Sequence, residues 1–149
     1  MTLFLTDRRS PELRFEYFVD SQWSILCFMM RKDPSRSKPH INAFITDGEL
    51  LPDRLSTGEI SVAFGLITRR RWKDGYNAHR YIPINIFSAS DRQIRILQIW
   101  HDKQNPKALQ VRRTAIMEFP DGMRENWKDW ISILCWSAGK PVGETVEGE

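Results

Sequence analysis

At 149 residues, the chain is long enough for one domain with an ordinary hydrophobic core and too short for two. Apolar residues make up 41% of it and charged residues 28%, a composition that argues against intrinsic disorder. Its net charge of +3 is too small to indicate nucleic-acid binding without a local basic cluster. We predict a single domain over residues 1–149, with its core at about residues 12–139 and a flexible tail at 140–149.

The N-terminus and the two cysteines indicate the cellular compartment in which the protein is expected. The opening MTLFLTDRRS lacks the long apolar core of a secretory signal, and no apolar run approaches the ~20 residues that span a bilayer. Cys27 and Cys135 lie inside apolar runs without CxxC spacing, which is typical of free, buried thiols in a reducing compartment. A cytoplasmic protein is expected, with a nuclear location as the alternative.

The chain up to residue 119 shows patterns typical of β-strands. Apolar and charged side chains alternate over residues 13–19, whereas residues 23–30 are apolar on both faces, as in a central strand. Asp74-Gly75 is a strong turn signal that predicts a hairpin between two later strands. The predicted strands cover residues 13–19, 23–30, 41–46, 59–70, 79–87, 91–100 and 109–119.

Three irregularities are predicted within these strands. Ala63 and Gly65 are small and lie on one face of the strand 59–70, which indicates close packing there. Pro83 cannot donate to a ladder, so the strand 79–87 is expected at a sheet edge or with a bulge. The alternation reverses between Ile96 and Leu97, which predicts a bulge at that point.

One long helix is predicted, over residues 123–139, with Asp121 as its N-cap and Gly139 at its end. Its large apolar residues recur at spacings of three and four, so they form one stripe that we expect to cover a sheet or the mouth of a barrel. The stripe consists of Met123, Trp127, Trp130, Ile131, Leu134 and Ala138. Trp136 lies off this stripe together with Ile133, and Trp136 is expected to be exposed where a partner could bury it.

These elements predict a mainly β fold with one C-terminal α-helix. About seven antiparallel strands with short connections favour a barrel or sandwich that the helix caps, because closure removes exposed strand edges. The order of elements from Leu13 to Gly139 resembles that of pleckstrin-homology-like domains. The matching residues are the last strand, 115–119, and the helix tryptophan, for which Trp127 or Trp130 would serve.

The ligand site of that family does not carry over to this chain. The resemblance implies phosphoinositide-binding basic residues on the first hairpin, whereas the corner here is Asp20-Ser21-Gln22, without Lys or Arg. A lipocalin-like closed barrel is the alternative fold. The Gly-x-Trp signature of lipocalins is absent, since the nearest match here is Ser21-Gln22-Trp23.

The candidate binding site is the segment RRRWKDGYNAHR, residues 69–80. In a hairpin, its tip would gather forked guanidinium donors, which match phosphate or carboxylate oxygens, around aromatic rings that can stack on bases or lie at a lipid headgroup layer. The predicted ligand-binding residues are Arg69, Arg70, Arg71, Trp72, Lys73, Tyr76 and Arg80. The alternative is a solvated hairpin tip that charge keeps soluble, with Trp72 packed on the sheet.

A second basic segment precedes the third predicted strand. It contains Arg31, Lys32, Arg36 and Lys38. If it lies at the same end of the molecule as residues 69–80, the two segments form one patch.

No catalytic, cofactor or metal motif is found in the sequence. His101 and Asp102 are adjacent in a strand and so point to opposite faces, and His40, His79 and His101 lack the spacing of a local metal-ligand pair. We therefore predict no catalytic residues, no metal and no cofactor.

Three functions are compatible with these features. The first is a non-catalytic binding or interaction module in which residues 69–80 contact a phosphate-bearing ligand or an acidic protein surface. The second is a small-molecule enzyme or carrier, of the isomerase, cyclase or dehydratase type, that uses a barrel interior lined by Thr68, Asn85, Gln98 and His101. The third is a structural subunit of an assembly, with oligomerisation through Trp136.

Overall fold

The computed structural model describes residues 4–5, 13–16, 23–30, 35–140 and 145, and within them a single mixed β-sheet carries one helix on each face. The strands are β1 (Phe4–Leu5), β2 (Leu13–Glu16), β3 (Trp23–Met30), β4 (Ile41–Asp47), β5 (Tyr81–Ser90), β6 (Gln93–Asp102), β7 (Leu109–Arg113) and β8 (Met117–Glu118). Helix α1 (Thr57–Thr68) continues into a π-helical turn, Arg69–Lys73, and helix α2 is Trp127–Ala138.

The sheet is open, with strand order β1-β2-β3-β4-β5-β6-β7 and with β8 paired to β6. Among the described strands, six have four or more residues, while β1 and β8 have two each. The prediction of a mainly β fold with a C-terminal helix is confirmed. The closed barrel is wrong, and neither a sandwich nor the pleckstrin-homology-like class is confirmed.

One strand pair departs from the predicted antiparallel order. β4 and β5 run parallel, in register from Ile41 opposite Ile84 to Thr46 opposite Ala89. Strands in parallel need a crossover connection rather than a tight turn, and α1 provides it.

The strand predicted for residues 59–70 is wrong, because this segment forms α1. Ser56 caps the helix: the Glu59 amide donates to its Oγ at 3.1 Å, and its own amide donates to Glu59 Oε2 at 2.9 Å. Such a reciprocal pair is a capping box, which satisfies two amides at the helix start. The buried residues of the helix recur at the helical period rather than at every second position: Gly58, Glu59, Val62, Ala63, Leu66 and Ile67.

The main core lies between α1 and one face of the sheet. Val62, Ala63, Leu66 and Ile67 of α1 pack against fully or nearly fully buried aliphatic side chains of the central strands. The strand residues are Ile41, Ala43, Ile45, Ile82, Ile84, Ile86, Leu97 and Ile99.

The predictions for Pro83 and for the bulge in β6 are also wrong. β5 lies between β4 and β6, and its register with β4 begins at Ile84, so the missing amide hydrogen of Pro83 falls just outside that ladder. The β5–β6 pairing is continuous over ten residues of each strand. Ile96 and Leu97 are both buried because each face of the sheet is covered there.

Helix α2 covers part of the second face of the sheet. Ile133 is its buried residue and packs with Phe87, Ile96 and Phe119, with Trp130 beside them. The Asn42 side-chain amide also donates to the Ser137 carbonyl oxygen at 2.9 Å. The contact positions of the helix are therefore 130, 133 and 137.

Most of the apolar stripe predicted to face the core points outward instead, although Trp130, one of its members, packs against the core. Met123 is 47% exposed, Trp127 57%, Ile131 37% and Leu134 40%. The helix begins at Trp127 rather than at Met123, and it contacts the sheet through the neighbouring Trp130 and Ile133. Trp127 is therefore not part of the core.

Trp136 and the two cysteines were also assigned positions from the sequence. Trp136 is exposed, as expected. Cys27 and Cys135 are both free, as predicted, but Cys135 lies on the exposed side of α2 and is not a core residue. No helix in the described ranges is long and apolar enough to cross a membrane.

Candidate functional site: a basic end of the molecule

Residues 69–80 form the end of a helix and its exit loop, not the tip of a hairpin. The π-helical turn is closed by the Asp74 amide, which donates to the Arg69 carbonyl oxygen at 3.1 Å. Gly75 follows with a φ of +80°, which glycine adopts without steric cost, and reverses the chain. β5 then begins at Tyr81. The predicted hairpin is wrong because its first arm is helical and its second pairs with β4 and β6.

The loop that precedes β4 packs against this exit loop. Arg70 donates from Nε to the Pro39 carbonyl oxygen at 3.2 Å and from Nη2 to that of Lys38 at 3.1 Å. His79 Nε2 lies 2.6 Å from the Arg36 carbonyl oxygen, and the Arg36 guanidinium lies against Gly75. The two basic segments thus lie at the same end of the molecule. Arg31 and Lys32 fall outside the described residues.

We call this region the basic end. Among the described residues it holds eight cations and two carboxylates. The cations are Arg36, Lys38, Arg69, Arg70, Arg71, Lys73, Arg80 and Lys103, and the carboxylates are Asp74 and Asp102.

Arg70 and Tyr76, both predicted as ligand-binding residues, lie inside the protein. Arg70 is only 4% exposed, and its guanidinium stacks 3.8 Å from the ring centroid of the buried Tyr76. Its ion pair with Asp74 is 3.5 Å long. These contacts join the π-helical turn to the loop before β4, which gives Arg70 a structural role at this end.

Arg71 is also buried and joins three elements. It donates to the carbonyl oxygens of His79 at 2.9 Å and Arg80 at 3.3 Å, and it lies 3.4 Å from His101 Nδ1. Burial lowers the pKa of its guanidinium, which nevertheless stays charged in proteins. Arg71 therefore fixes the π-helical turn to the start of β5 and the end of β6.

Arg80 and Lys103 extend the positive charge to the end of β6. Arg80 makes a bidentate ion pair with Asp102, with both N–O distances at 3.0 Å, and this pair lowers the pKa of Asp102. Lys103 is exposed, and its Nζ donates to the Asn77 carbonyl oxygen at 3.3 Å. The carboxylate of Asp102 is thereby already engaged.

The outward side of the basic end is formed by a different set of residues. Trp72 is 70% exposed, the largest exposure of any large apolar side chain among the described residues. Lys73, the next residue in the chain, and Arg36, on the loop before β4, are also exposed, and Lys38 and Arg69 are half-buried. An indole with cations nearby offers a flat stacking surface within a positive field.

No family model, curated protein or solved structure matches the chain.

The residues weighed for catalysis do not converge. His101 contacts Arg71 while Asp102 pairs with Arg80, so the adjacent pair forms no dyad. Asn85 and Gln98 are cross-strand neighbours in the middle of the sheet, and Thr68 is exposed on α1. Within the described ranges, no group of three His, Cys, Asp or Glu side chains could hold a metal ion. The open sheet also lacks the barrel interior that the enzyme hypothesis required.

A shallow groove lies at the other end of β5 and β6, beside the turn at Asp91. It has a volume of about 710 Å³ and is lined by Ala89, Ile94, Phe119 and the residues of two turns. Neither His nor Cys is among its lining residues. The groove therefore offers no base or nucleophile of those types.

His40 lies partly buried at the basic end. Its pKa is lowered to about 4, first by burial of the ring and then by the charges of Lys38, His79 and Arg70. Its Nδ1 atom is buried without a hydrogen-bond partner among the described residues. A neutral imidazole is thus the form that the folded protein accommodates at neutral pH.

We expect the stability of the protein to fall between pH 6.5 and pH 4. Between these pH values His40 binds a proton in the unfolded chain, where its pKa is the ordinary 6.5, but not in the folded protein. Acid therefore favours unfolding. The loss attributable to His40 is about 1–2 kcal/mol once solvent screening of the partly exposed ring is allowed for. It should be absent from His40→Gln, measured by urea unfolding at both pH values. A His40 NMR titration midpoint near 6.5 would contradict this account.

Proposed function

We propose that the protein is a non-catalytic binding module whose basic end binds the phosphate groups of a single-stranded nucleic acid. The observation that carries this proposal is the convergence of two sequence-distant basic segments, residues 36–38 and 69–80, at one end of the molecule. Eight cations face two carboxylates there among the described residues, and burial together with the charges of Lys38, His79 and Arg70 lowers the pKa of His40. A strand of phosphates would neutralise that excess charge.

The buried and exposed residues of the basic end have different roles in this proposal. Arg70 and Arg71 hold the loops in place by donating to backbone carbonyl oxygens. Arg36, Lys38, Lys73 and Lys103 supply the accessible positive charge. A scaffold of this kind presents the cations on a rigid surface, which reduces the ordering cost of binding.

Trp72 favours a nucleic-acid strand among phosphate-bearing ligands. Its indole is 70% exposed and adjoins Lys73 in the chain. Bases stack on such aromatic surfaces with little sequence preference, and each stacked base contributes about 1–3 kcal/mol. We therefore expect weak sequence specificity and strong dependence on ionic strength.

We expect a fluorescein-labelled oligothymidylate to bind with an affinity that falls steeply as salt rises. Changing Arg36, Lys38 and Lys103 together to Gln should weaken binding at low salt by at least about tenfold and flatten the salt dependence, because each phosphate contact contributes about one unit of slope. Trp72→Ala should weaken binding by about 1–3 kcal/mol while leaving the salt dependence in place. Fluorescence anisotropy measures both effects.

A matched control separates a local site from general charge. Changing Arg113, Arg124 and Lys128 to Gln removes the same charge from exposed positions away from the basic end and should leave the affinity nearly unchanged. An equal loss in this variant, or binding that does not depend on salt, would contradict the proposal. Binding to anionic phospholipid vesicles without binding to the oligonucleotide would assign the surface to lipid headgroups and overturn the nucleic-acid proposal.

A further inference from the structure

Helix α1 has an outward face that carries no charged side chain. Glu59 is the single charged residue between Thr57 and Thr68, and it is fully buried. Ile60 is 46% exposed and Phe64 65% exposed on the opposite side of the helix from the core. An exposed phenylalanine on an uncharged helical face is typical of a protein contact surface.

Gly65 lies at the middle of this face, and no contact among the described residues requires a glycine there. A Cβ atom added there would meet nothing within 4 Å, whereas one added at Gly58 would lie 2.7 Å from the Trp23 side chain. A glycine in a helix interior weakens the helix relative to alanine. Gly58 is therefore explained by packing inside the molecule, while the space over Gly65, next to Phe64 in the chain, is open.

The position of Gly65 suits a two-fold axis. The helical segment from Thr57 to Lys73 has Gly65 as its central residue, with eight residues on either side. If two antiparallel copies cross there, each Phe64 ring can pack on the other copy's Gly65, where no side chain stands in the way. Both features belong to one surface, so the surface is self-complementary, as an isologous contact requires.

The two ends of α1 carry opposite charge. Near its N-terminal end lie Asp47, the last residue of β4, and Glu49 and Asp53 of the following loop, against Arg54, and its C-terminal end is the basic end. In the antiparallel arrangement each acidic loop lies beside the basic end of the other copy. A parallel arrangement would place like charges together, which is unfavourable.

We propose that the outward face of α1 is the interface of a homodimer, formed by antiparallel packing of two copies across Gly65. This inference goes beyond nucleic-acid binding, and because the dimer contact also uses Lys73 of the basic end, the oligomeric state is tested in the absence of nucleic acid. The exposed area of one helix is well below the roughly 800 Å² per partner of a standard interface, so the flanking loops must contribute. We therefore expect a reversible dimer that dissociates in the micromolar range rather than an obligate one.

The oligomeric state is tested by sedimentation velocity on the full chain over the micromolar range, without nucleic acid. The wild type should shift from monomer to dimer as its concentration rises. Phe64→Ser and Gly65→Ala should each raise the dissociation constant by at least about tenfold, because each change occurs twice across the axis. Gly65→Ala should at the same time raise the melting temperature, since alanine favours the helix. If Gly65 mattered only within the monomer, Gly65→Ala would not raise both the melting temperature and the dissociation constant of the dimer.

Charge reversal tests the antiparallel arrangement. Asp53→Lys and Lys73→Glu should each weaken dimerisation, and the two changes in one chain should restore it. Trp127→Ser, on the exposed side of α2, serves as the matched apolar control and should leave the dimer intact. A wild type that stays monomeric throughout, or a dimer lost in Trp127→Ser and kept in Phe64→Ser, would overturn the proposal. Failure of the double reversal to restore a dimer that both single changes weaken would also overturn it.

Discussion

Glu59→Ala should lower the free energy of unfolding by about 3–5 kcal/mol, because it leaves a buried guanidinium without its counter-charge. Arg95 is 1% exposed and Glu59 is fully buried. The pair is bidentate, with Nε–Oε1 at 2.8 Å and Nη2–Oε2 at 2.5 Å. A loss of this size would be a large fraction of the ~5–15 kcal/mol that stabilises a typical domain.

The same pair organises the loop before α1. Arg95 also donates to the carbonyl oxygens of Leu51 and, at 3.1 Å, Arg54, while Glu59 completes the capping box with Ser56. Ser56 Oγ in turn donates to Asp47 Oδ2 at the end of β4. Loss of the Glu59 carboxylate would thus leave buried donors unpaired at several points.

Urea unfolding of Glu59→Ala measures this effect, with Glu125→Ala as the control. Glu125 is exposed, so its removal should change stability by less than about 0.5 kcal/mol. Combining Glu59→Leu with Arg95→Met should recover part of the loss, because removing both charges leaves neither one buried alone. A loss below about 1 kcal/mol for Glu59→Ala would show that the pair is dispensable.

Arg71→Leu should destabilise the protein by about 2–4 kcal/mol, since it leaves the carbonyl oxygens of His79 and Arg80 without their buried donor. Arg71→Lys should recover little of this. An ammonium is a compact charge and cannot reach two carbonyl oxygens and the His101 ring with the geometry of a guanidinium fork.

Lys73→Leu is the appropriate comparison, because Lys73 is a neighbouring cation that is exposed. It should change the free energy of unfolding by less than about 0.5 kcal/mol. Urea unfolding separates the two variants. If Arg71→Leu were as stable as the wild type, Arg71 would have no structural role and would count as an accessible cation instead.

The part of the fold that follows from local pattern could be predicted from the sequence. The bounds of β3 match residues 23–30, whose apolar residues indicate a central strand, and β4 begins at Ile41 as expected. Free cysteines and an exposed Trp136 were also predicted correctly. Each of these depends mainly on the residues of one segment.

Helix α1 was missed although a local signal was present. Ser56 and Glu59 have the spacing of a capping box, and it outweighs the alternation of Ile60, Val62 and Phe64 that suggested a strand. The alternation misled because Ile60 and Phe64 are apolar without being buried. A helix with apolar residues on both sides does not show the usual one-sided pattern.

The arrangement of the basic end depends on contacts that no local pattern encodes. The composition of residues 69–80 indicated a basic surface, but the burial of Arg70 and Arg71 arises from carbonyl oxygens of separate loops. The approach of residues 36–38 follows from the parallel pairing of β4 with β5, which brings the starts of both strands to one end of the sheet. Trp72 and Lys73 remain predicted ligand contacts, and they are the exposed ones.

The parallel pairing of β4 with β5 also sets the order in which the chain can fold. β5 and β6 are joined through Asp91 and Arg92 alone, so that hairpin closes a short loop, an event of microseconds. β4 pairs with β5 only when the much longer segment between Asp47 and Tyr81, which contains α1, has closed. The entropy cost of that closure grows with the length of the segment. We expect the pairing of β4 with β5 to be the late step of folding. The Glu59–Arg95 contact joins α1 to β6, and we expect it to stabilise this pairing once it has formed. Slower refolding of Glu59→Ala in stopped-flow mixing would place that contact before the rate-limiting barrier, and faster unfolding alone would place it after.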